Sequence, residues 1–248
     1  MRRSLLVIGQ SHIAAIRAAA RVRREADPCA PQTRVIHTLE PRYAPELVAD
    51  ESAFAAPLMA AIRDQTERHR PHIVSCIGGN VHNVMGLIRH PRPFDVRLTP
   101  HDVLGQGIEP LTQGLLRATL THAMSRDLVR LRLLAALSGS LIHLESPPPL
   151  QDDALILDRA DAFFRDHDLI ALGVAPAGLR HRLWKLHGMI MRDACAEAGI
   201  RFVPIPEIAQ DEDGYLHPTF AADATHGNAL YGEAVIQQIE AYLDHISA

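Results

Sequence analysis

The sequence predicts a three-layer α/β/α sandwich of the flavodoxin-like kind, built on a mostly parallel five-stranded sheet. Five short apolar or β-branched runs alternate with longer amphipathic stretches over 248 residues. Several of these runs end at glycine or at a polar turn, as strands do at the carboxyl edge of a parallel sheet. No internal repeat or linker divides the chain, so we expect one domain over residues 1–248.

The order of apolar patterns predicts each element. The first strand stops at Gly9, and Pro28 and Pro31 separate the helix that follows it from the second strand. Strands are expected at 4–9, 33–39, 72–77, 140–144 and 200–204. Helices are expected at 11–25, 54–68, 113–137, 154–168, 181–198 and 229–246, with 169–180 irregular or partly extended.

One segment departs from the regular alternation of strand and helix. Residues 86–112 contain four prolines and three glycines and show little periodicity. A loop of this length inside a compact domain is usually a lid, a binding loop or disordered. We expect an irregular, lid-like insertion over the strand ends.

Composition excludes several classes of protein. With 47% hydrophobic residues, a net charge of -4 and a pI near 6.4, the chain gives no electrostatic reason to expect a nucleic-acid partner. Its first apolar run, residues 5–8, is too short for a signal peptide or a membrane span. Three widely spaced cysteines argue against a disulfide framework. We expect a cytoplasmic protein without a membrane partner, and the sequence leaves its oligomeric state open.

Arginines 17, 21 and 24 recur at helical spacing along the first predicted helix. Such a stripe is either a solvated helix face or a phosphate-binding surface. The fifteen histidines form no metal-binding motif, and the chain contains neither a Walker loop nor a Gly-x-Gly-x-x-Gly sequence. We therefore expect no metal or organic cofactor.

Polar residues follow the first, third and fourth predicted strands. Gly9-Gln10-Ser11 follows the first, Gly78-Gly79-Asn80 the third, and Ser146-Pro147 the fourth. In a doubly wound sheet these ends share one edge, where ligands bind. Ser11 itself has two readings, since serine is a good helix N-cap and is also a nucleophile when presented at a strand end.

Asp223-Ala224-Thr225-His226 is the only Asp-x-x-His in the chain. Across a turn, this spacing can bring the carboxylate to imidazole Nδ1 and leave Nε2 free to take a proton from a serine hydroxyl. The side-chain amide of Asn80 and the backbone of Gly79 are suited to a developing oxyanion. The alternatives are a histidine at a helix start beside a capping aspartate, and an ordinary turn at Asn80.

These blocks, in this order, resemble the SGNH (GDSL-like) hydrolases. The family pattern is a Gly-x-Ser block near the N-terminus, a Gly-x-Asn block after the third strand and an Asp-x-x-His block near the C-terminus. Two features differ. Gln10 stands where the family usually has aspartate. No glycine occurs between Gly9 and Gly78, so the glycine that supplies the second-block oxyanion donor in the family is missing. A backbone N–H from residues 48–53 could replace it.

The resemblance implies a serine ester hydrolase that acts on acyl esters, including O-acetylated carbohydrates. Ser11 would be the nucleophile, His226 the base and Asp223 its orienting group. Ser11, Asn80 and Gly79 would form the oxyanion hole. Three residues beside the site are candidates for the substrate pocket: His12, His82 and Asn83.

Two alternatives remain open from the sequence. One is acyl transfer on the same site, with a sugar hydroxyl in place of water. The other is a non-catalytic ligand-binding protein with a degraded site, which the absent second-block glycine favours.

Overall fold

The centre of the computed structural model, which describes residues 2–246, is a five-stranded sheet. Its strands are β1 (Leu5–Gly9), β2 (Thr33–His37), β3 (His72–Cys76), β6 (Leu141–Leu144) and β7 (Arg201–Val203). The order is β2-β1-β3-β6-β7, and every neighbouring pair is parallel. This is the strand order of flavodoxin-like doubly wound sheets. The predicted fold class is confirmed.

Helices flank this sheet, and two further strands lie outside it. The helices are α1 (Ile13–Ala26), α2 (Ala56–His69), α3 (Val81–Gly86), α4 (Gln113–Ala123), α5 (Ser125–Leu137), α6 (Asp153–Arg159), α7 (Ala162–Asp166), α8 (Leu169–Leu172), α9 (Ala177–Glu197) and α10 (Ala229–Ile246). The further strands are β4 (Phe94–Val96) and β5 (Glu109–Leu111), which pair in parallel.

Hydrophobic cores lie on both faces of the sheet. Leu5 and Val7 of β1 pack with α1 and α10, whereas Leu6 and Ile8 pack with α2, α5 and α9. Because both faces of β1 are covered, its sequence is a continuous apolar run rather than an alternating one. Each of these side chains stabilises the fold by roughly 1.5–3 kcal/mol through burial.

The first and last helices of the sandwich are in close contact. A Cβ added at Gly232 of α10 would lie 2.1 Å from the carbonyl oxygen of Ala15 in α1, so only glycine permits this approach. Arg23 pairs with Glu233 at 2.7 Å and with Glu240 at 2.8 Å across the same interface. The junction brings the chain just before α10 to the end of β1, where Ser11 lies.

Three helical predictions were wrong in detail. The stretch 113–137 is two helices, because the backbone leaves the helical region at Met124 (φ -87°, ψ 0°) and the buried methionine joins α4 to α5. The stretch 154–168 is also two helices, and the Asp161 side chain caps the second by accepting the Phe164 N–H. The segment 169–180 contains α8 and the first residues of α9 rather than irregular chain.

The segment 86–112 is more ordered than its composition predicts. It holds β4 and β5, and the carboxylate of Asp95 in β4 is buried against the guanidinium of Arg182 in α9. A charged pair of this kind anchors the segment to the sandwich, so it is not irregular throughout. Its position as a lid over the strand ends stays a prediction.

No helix within residues 2–246 is long and apolar enough to cross a membrane. The cysteines at 29, 76 and 195 are free thiols.

Candidate active site

Ser11 lies in the turn between β1 and α1. Helix α1 begins at Ile13 with His12 at the N-cap position, so Ser11 is not the helix cap that one of its two readings required. The Gln10 N–H donates to the Cys76 carbonyl at 3.3 Å and fastens the turn to the end of β3. Glycine is needed just before this turn, because a Cβ at Gly9 would lie 2.2 Å from the same carbonyl oxygen.

Asp223 and His226 form the hydrogen-bonded pair that their spacing predicts. Nδ1 of His226 lies 2.9 Å from Asp223 Oδ2, and Asp223 Oδ1 accepts the backbone N–H groups of Thr225 and His226 at 2.8 Å each. Burial raises the pKa of Asp223, but the hydrogen bonds from His226 and Thr225 outweigh it and leave that pKa below its usual value. Asp223 is therefore an anion at neutral pH.

Asp223 and His226 do not cap helix α10. Asn228 holds the start of α10, since its Oδ1 accepts the N–H groups of Leu230 at 2.9 Å and Tyr231 at 3.2 Å. Nε2 of His226 is buried and has no hydrogen-bond partner among the described residues. The pair thus has a carboxylate on Nδ1 and an unoccupied Nε2, which is the arrangement of a general base.

The ring of His12 brings Ser11 and His226 into one neighbourhood. His12 directly follows Ser11, and its ring centroid lies 4.8 Å from that of His226. Within residues 2–246, no hydrogen bond joins Ser11 Oγ to His226 Nε2. Catalytic hydrogen bonds are often long in unliganded sites and tighten when substrate binds.

The turn after β3 supplies the third block. Gly78 has φ +76°, which favours glycine, and a Cβ at Gly79 would lie 2.1 Å from Cδ2 of His12. Asn80 Oδ1 accepts a hydrogen bond from Asn83 Nδ2 at 2.9 Å. This bond fixes the amide and leaves Asn80 Nδ2 without an acceptor among the described residues.

The three residues predicted for the substrate pocket are buried: His12, His82 and Asn83 have exposed fractions of 5%, 2% and 4%. The ring nitrogens of His12 and His82 make no hydrogen bond of good geometry among the described residues. His82 packs with its ring centroid 5.0 Å from that of His187, whose Nε2 donates to the Gly78 carbonyl at 2.5 Å. We therefore expect His12, His82 and Asn83 to pack beneath the Gly78 turn and hold its shape. That they contact substrate directly stays a prediction.

Burial keeps these histidines neutral. It lowers the pKa of His12 to about 3, with a smaller contribution from the adjacent His226 ring, and lowers the pKa of His187 to about 4. The pKa of His82 also falls well below its usual value, because of burial and then the nearby His187. Among residues 2–246, no three His, Cys, Asp or Glu side chains are placed to hold a metal ion.

A buried polar network, which the sequence did not reveal, holds the other side of the Ser11 turn. Gln10 Oε1 accepts the Gly78 N–H at 3.0 Å, and Gln10 Nε2 donates to Asp127 Oδ1 at 3.0 Å. Asp127 pairs with Arg130 at 2.7 Å, and Arg130 also pairs with Glu46. The one available signal was Asp127 and Arg130 at i,i+3 on a helix, and nothing in the sequence linked them to Gln10.

The loop of residues 48–53 would supply the oxyanion donor in place of the missing second-block glycine. It closely follows Glu46, which belongs to this network through its ion pair with Arg130. Within the loop, the N–H groups of Val48, Glu51 and Ser52 donate to acceptors in the loop itself. The N–H groups of Ala49, Asp50 and Ala53 form no such bond, so any donor from 48–53 comes from these three. That the loop supplies the donor stays a prediction.

No family model matches the chain, and no curated protein matches it. Solved structures do resemble it over nearly its whole length. A Streptococcus pneumonia protein provisionally assigned as a platelet activating factor is 12% identical, with coverage of 98% of this chain and 85% of that one and a TM-score of 0.49. A GDSL-like lipase from Bacteroides thetaiotaomicron is 11% identical, with coverage of 98% and 89% and a TM-score of 0.44.

An acetyl xylan esterase, AlAXEase, is 9% identical, with coverage of 96% of this chain and 98% of that one and a TM-score of 0.37. The fold class rests on the strand order of the sheet.

Proposed function

We propose that this protein is a serine ester hydrolase of the SGNH type. The observation that carries the proposal is the Asp223–His226 pair, whose unoccupied Nε2 lies beside the Ser11 turn. The ends of β1 and β3 and the chain before α10 all contribute residues to this candidate site, and an acyl-transfer site requires such a convergence.

Ser11 Oγ attacks the acyl carbon while His226 Nε2 takes the hydroxyl proton, and a tetrahedral oxyanion forms. The Ser11 N–H and Asn80 Nδ2 are the expected oxyanion donors, with Gly79 beside them. His226 then gives its proton to the leaving alkoxide, and the acyl group stays on Ser11. Water attacks this ester with His226 again as base, which releases the carboxylic acid and restores the serine.

Asp223 orients the imidazole and stabilises the imidazolium that forms in each half of the reaction. Acyl esters are the substrate class, and O-acetylated carbohydrates are the candidates that the family resemblance names. No metal or organic cofactor enters this chemistry.

The test is turnover of p-nitrophenyl acetate by the wild type and by Ser11→Ala and His226→Ala. We expect each substitution to lower kcat at least 10³-fold, because nucleophile and base act as a unit. Ser140→Ala and His245→Ala, at exposed positions, are matched controls and should retain activity. A fluorophosphonate should label Ser11. Unchanged activity in Ser11→Ala, or labelling of another residue alone, would contradict the proposal.

A non-catalytic ligand-binding protein is the second candidate. It is favoured by the lack of a Ser11–His226 hydrogen bond and by the missing second-block glycine. Binding of an acetylated oligosaccharide without turnover, combined with no fluorophosphonate labelling, would establish it. If turnover occurs, product analysis with and without an added sugar acceptor separates hydrolysis from acyl transfer.

A further inference from the structure

A cleft of about 900 Å³ runs along the free edge of β2, and neither Ser11 nor His226 lines it. Helix α1 forms one wall and α2 contributes to the other. Five arginines line the cleft, against a single carboxylate, Asp64: Arg17, Arg21, Arg24, Arg34 and Arg42. The whole chain has a net charge of -4, so this concentration of positive charge is local.

Part of that charge is unpaired. Arg17 and Arg42 share Glu40, at 3.2 Å and 2.7 Å. Arg24 and Arg34 have no carboxylate partner among the described residues. Arg21 lies 3.8 Å from Glu25. Two guanidinium groups, those of Arg24 and Arg34, thus remain to bind an anion, and the other three arginines of the cleft are each paired with a carboxylate.

The floor of the cleft offers backbone hydrogen bonds as well. Leu5 N–H donates to the Gln32 carbonyl, and Thr38 N–H donates to the Gly9 carbonyl, so even-numbered residues of β2 bond to β1. In a parallel ladder the N–H and C=O of the alternate residues point the other way. Those of Thr33 and Val35 therefore face the cleft.

The arginines flank both faces of this strand edge. Arg17, Arg21 and Arg24 lie on α1, which packs on the Val35 face of the sheet. Arg34 shares its side of β2 with Ile36, which packs on the opposite face, as does Tyr43 next to Arg42. A strand added to β2 would send its side chains alternately to these two faces.

We infer that this cleft binds an acidic, extended peptide segment of a partner protein as a sixth strand beside β2. The span from Arg17 to Arg24 is about 10 Å along a helix, which equals about three residues of an extended chain. Backbone pairing supplies affinity in this mode, and the arginines select carboxylate side chains on both faces. The free edge of β2 would then be the surface that recognises the partner protein.

Other occupants fit less well. A second copy of the chain that paired through its own β2 would place arginines against arginines. Single-stranded nucleic acid needs exposed aromatic rings for stacking, but the one aromatic side chain in the lining, Tyr43, is buried beneath the guanidinium of Arg42.

The test measures binding of a fluorescein-labelled hexaglutamate peptide to the full chain by anisotropy. We expect saturable binding that the double variant Arg24→Glu/Arg34→Glu weakens at least tenfold. Arg97→Glu/Arg132→Glu makes the same change of charge at exposed positions outside the cleft and should weaken it less than threefold.

Strand addition itself is tested by the same peptide N-methylated at every peptide bond, which keeps the charge and removes the N–H donors. We expect at least tenfold weaker binding, and slower amide exchange at Thr33 and Val35 with the unmodified peptide. No binding of hexaglutamate, equal binding of the methylated peptide, or tighter binding of a hexathymidylate would each overturn the inference.

Discussion

The two neighbours of Ser11 hold the candidate nucleophile in opposite ways. Gln10 uses both ends of its amide, one on the Gly78 N–H and one on Asp127, within a network of buried charges. His12 is more deeply buried than Gln10, but it makes no hydrogen bond of good geometry and is positioned by contact with Gly79 and His226. One side of the turn is therefore fixed by directional bonds and the other by the shape of neutral rings.

Because of this difference, we expect the two sides of the Ser11 turn to lose their structure under different conditions. The Gln10 side depends on hydrogen bonds between fixed donors and acceptors, so it should be sensitive to the removal of any one of them. The His12 side depends on several imidazoles that burial keeps uncharged, so it should be sensitive to pH and to added volume.

The largest expected effect is loss of stability in mild acid. The pKa is lowered from its ordinary value near 6.5 to about 3 in His12 and His143 and to about 4 in His187. Below pH 6.5 the unfolded chain binds protons that the folded chain does not, so stability falls as pH falls towards 4. Each histidine can contribute up to about 2 kcal/mol of this loss at pH 5.0.

Urea unfolding at pH 7.5 and pH 5.0 measures that loss. In His187→Gln the difference between the two pH values should shrink, since glutamine can still donate to the Gly78 carbonyl but does not titrate. Equal unfolding free energies of the wild type at both pH values would show that the rings are not held neutral.

The second effect concerns the carboxylate that distinguishes His226 from His12. Asp223→Asn should lower kcat for p-nitrophenyl acetate on the order of 10⁴-fold, because an amide cannot hold the required tautomer or stabilise the imidazolium. The exposed Asp166→Asn is the matched control and should be as active as the wild type. Full activity in Asp223→Asn would show that the carboxylate does not give His226 a role that the unpaired histidines lack.

A third prediction tests the steric side. Gly79→Ala places a methyl group where the His12 ring now lies, so we expect a loss of about 1–3 kcal/mol in the free energy of unfolding. Gly114→Ala, in α4 with nothing within 4 Å, should be neutral or stabilising by up to about 1 kcal/mol. Chemical denaturation of both variants makes the comparison. Equal stabilities would mean that contact with Gly79 does not position His12.

The last prediction tests the hydrogen-bonded side, where the rate effect is far smaller than that of Asp223→Asn. Gln10→Met keeps the volume but removes the bonds to Gly78 and Asp127, and we expect a loss of about 1–3 kcal/mol in stability with a rate lowered about tenfold. The exposed Gln106→Met should change neither. A kcat loss as large as that of Ser11→Ala would instead place Gln10 in direct contact with the reacting atoms.

The sequence predicted what depends on local pattern. Apolar or β-branched runs located all five sheet strands, and the Asp-x-x-His spacing predicted the bond between Asp223 and His226. It did not predict the break at Met124, because the apolar periodicity continues through that residue while tertiary packing turns the chain.

The Gln10 network was also beyond sequence reasoning. Its members come from a strand end, a helix and a loop, and only the folded sheet brings Gln10, Asp127 and Glu46 together. Polar residues that pair over long separations leave no periodic signal.

The contact between α1 and α10 has a consequence for how the protein refolds. Arg23 and Glu233, which bridge these helices, are 210 residues apart in sequence, and parallel sheets already fold slowly because their contacts are non-local. His226 is held just before α10, so the proposed general base reaches Ser11 only when this last helix docks. In a stopped-flow refolding experiment, esterase activity should therefore return with the slowest structural phase, after most of the helical signal has recovered.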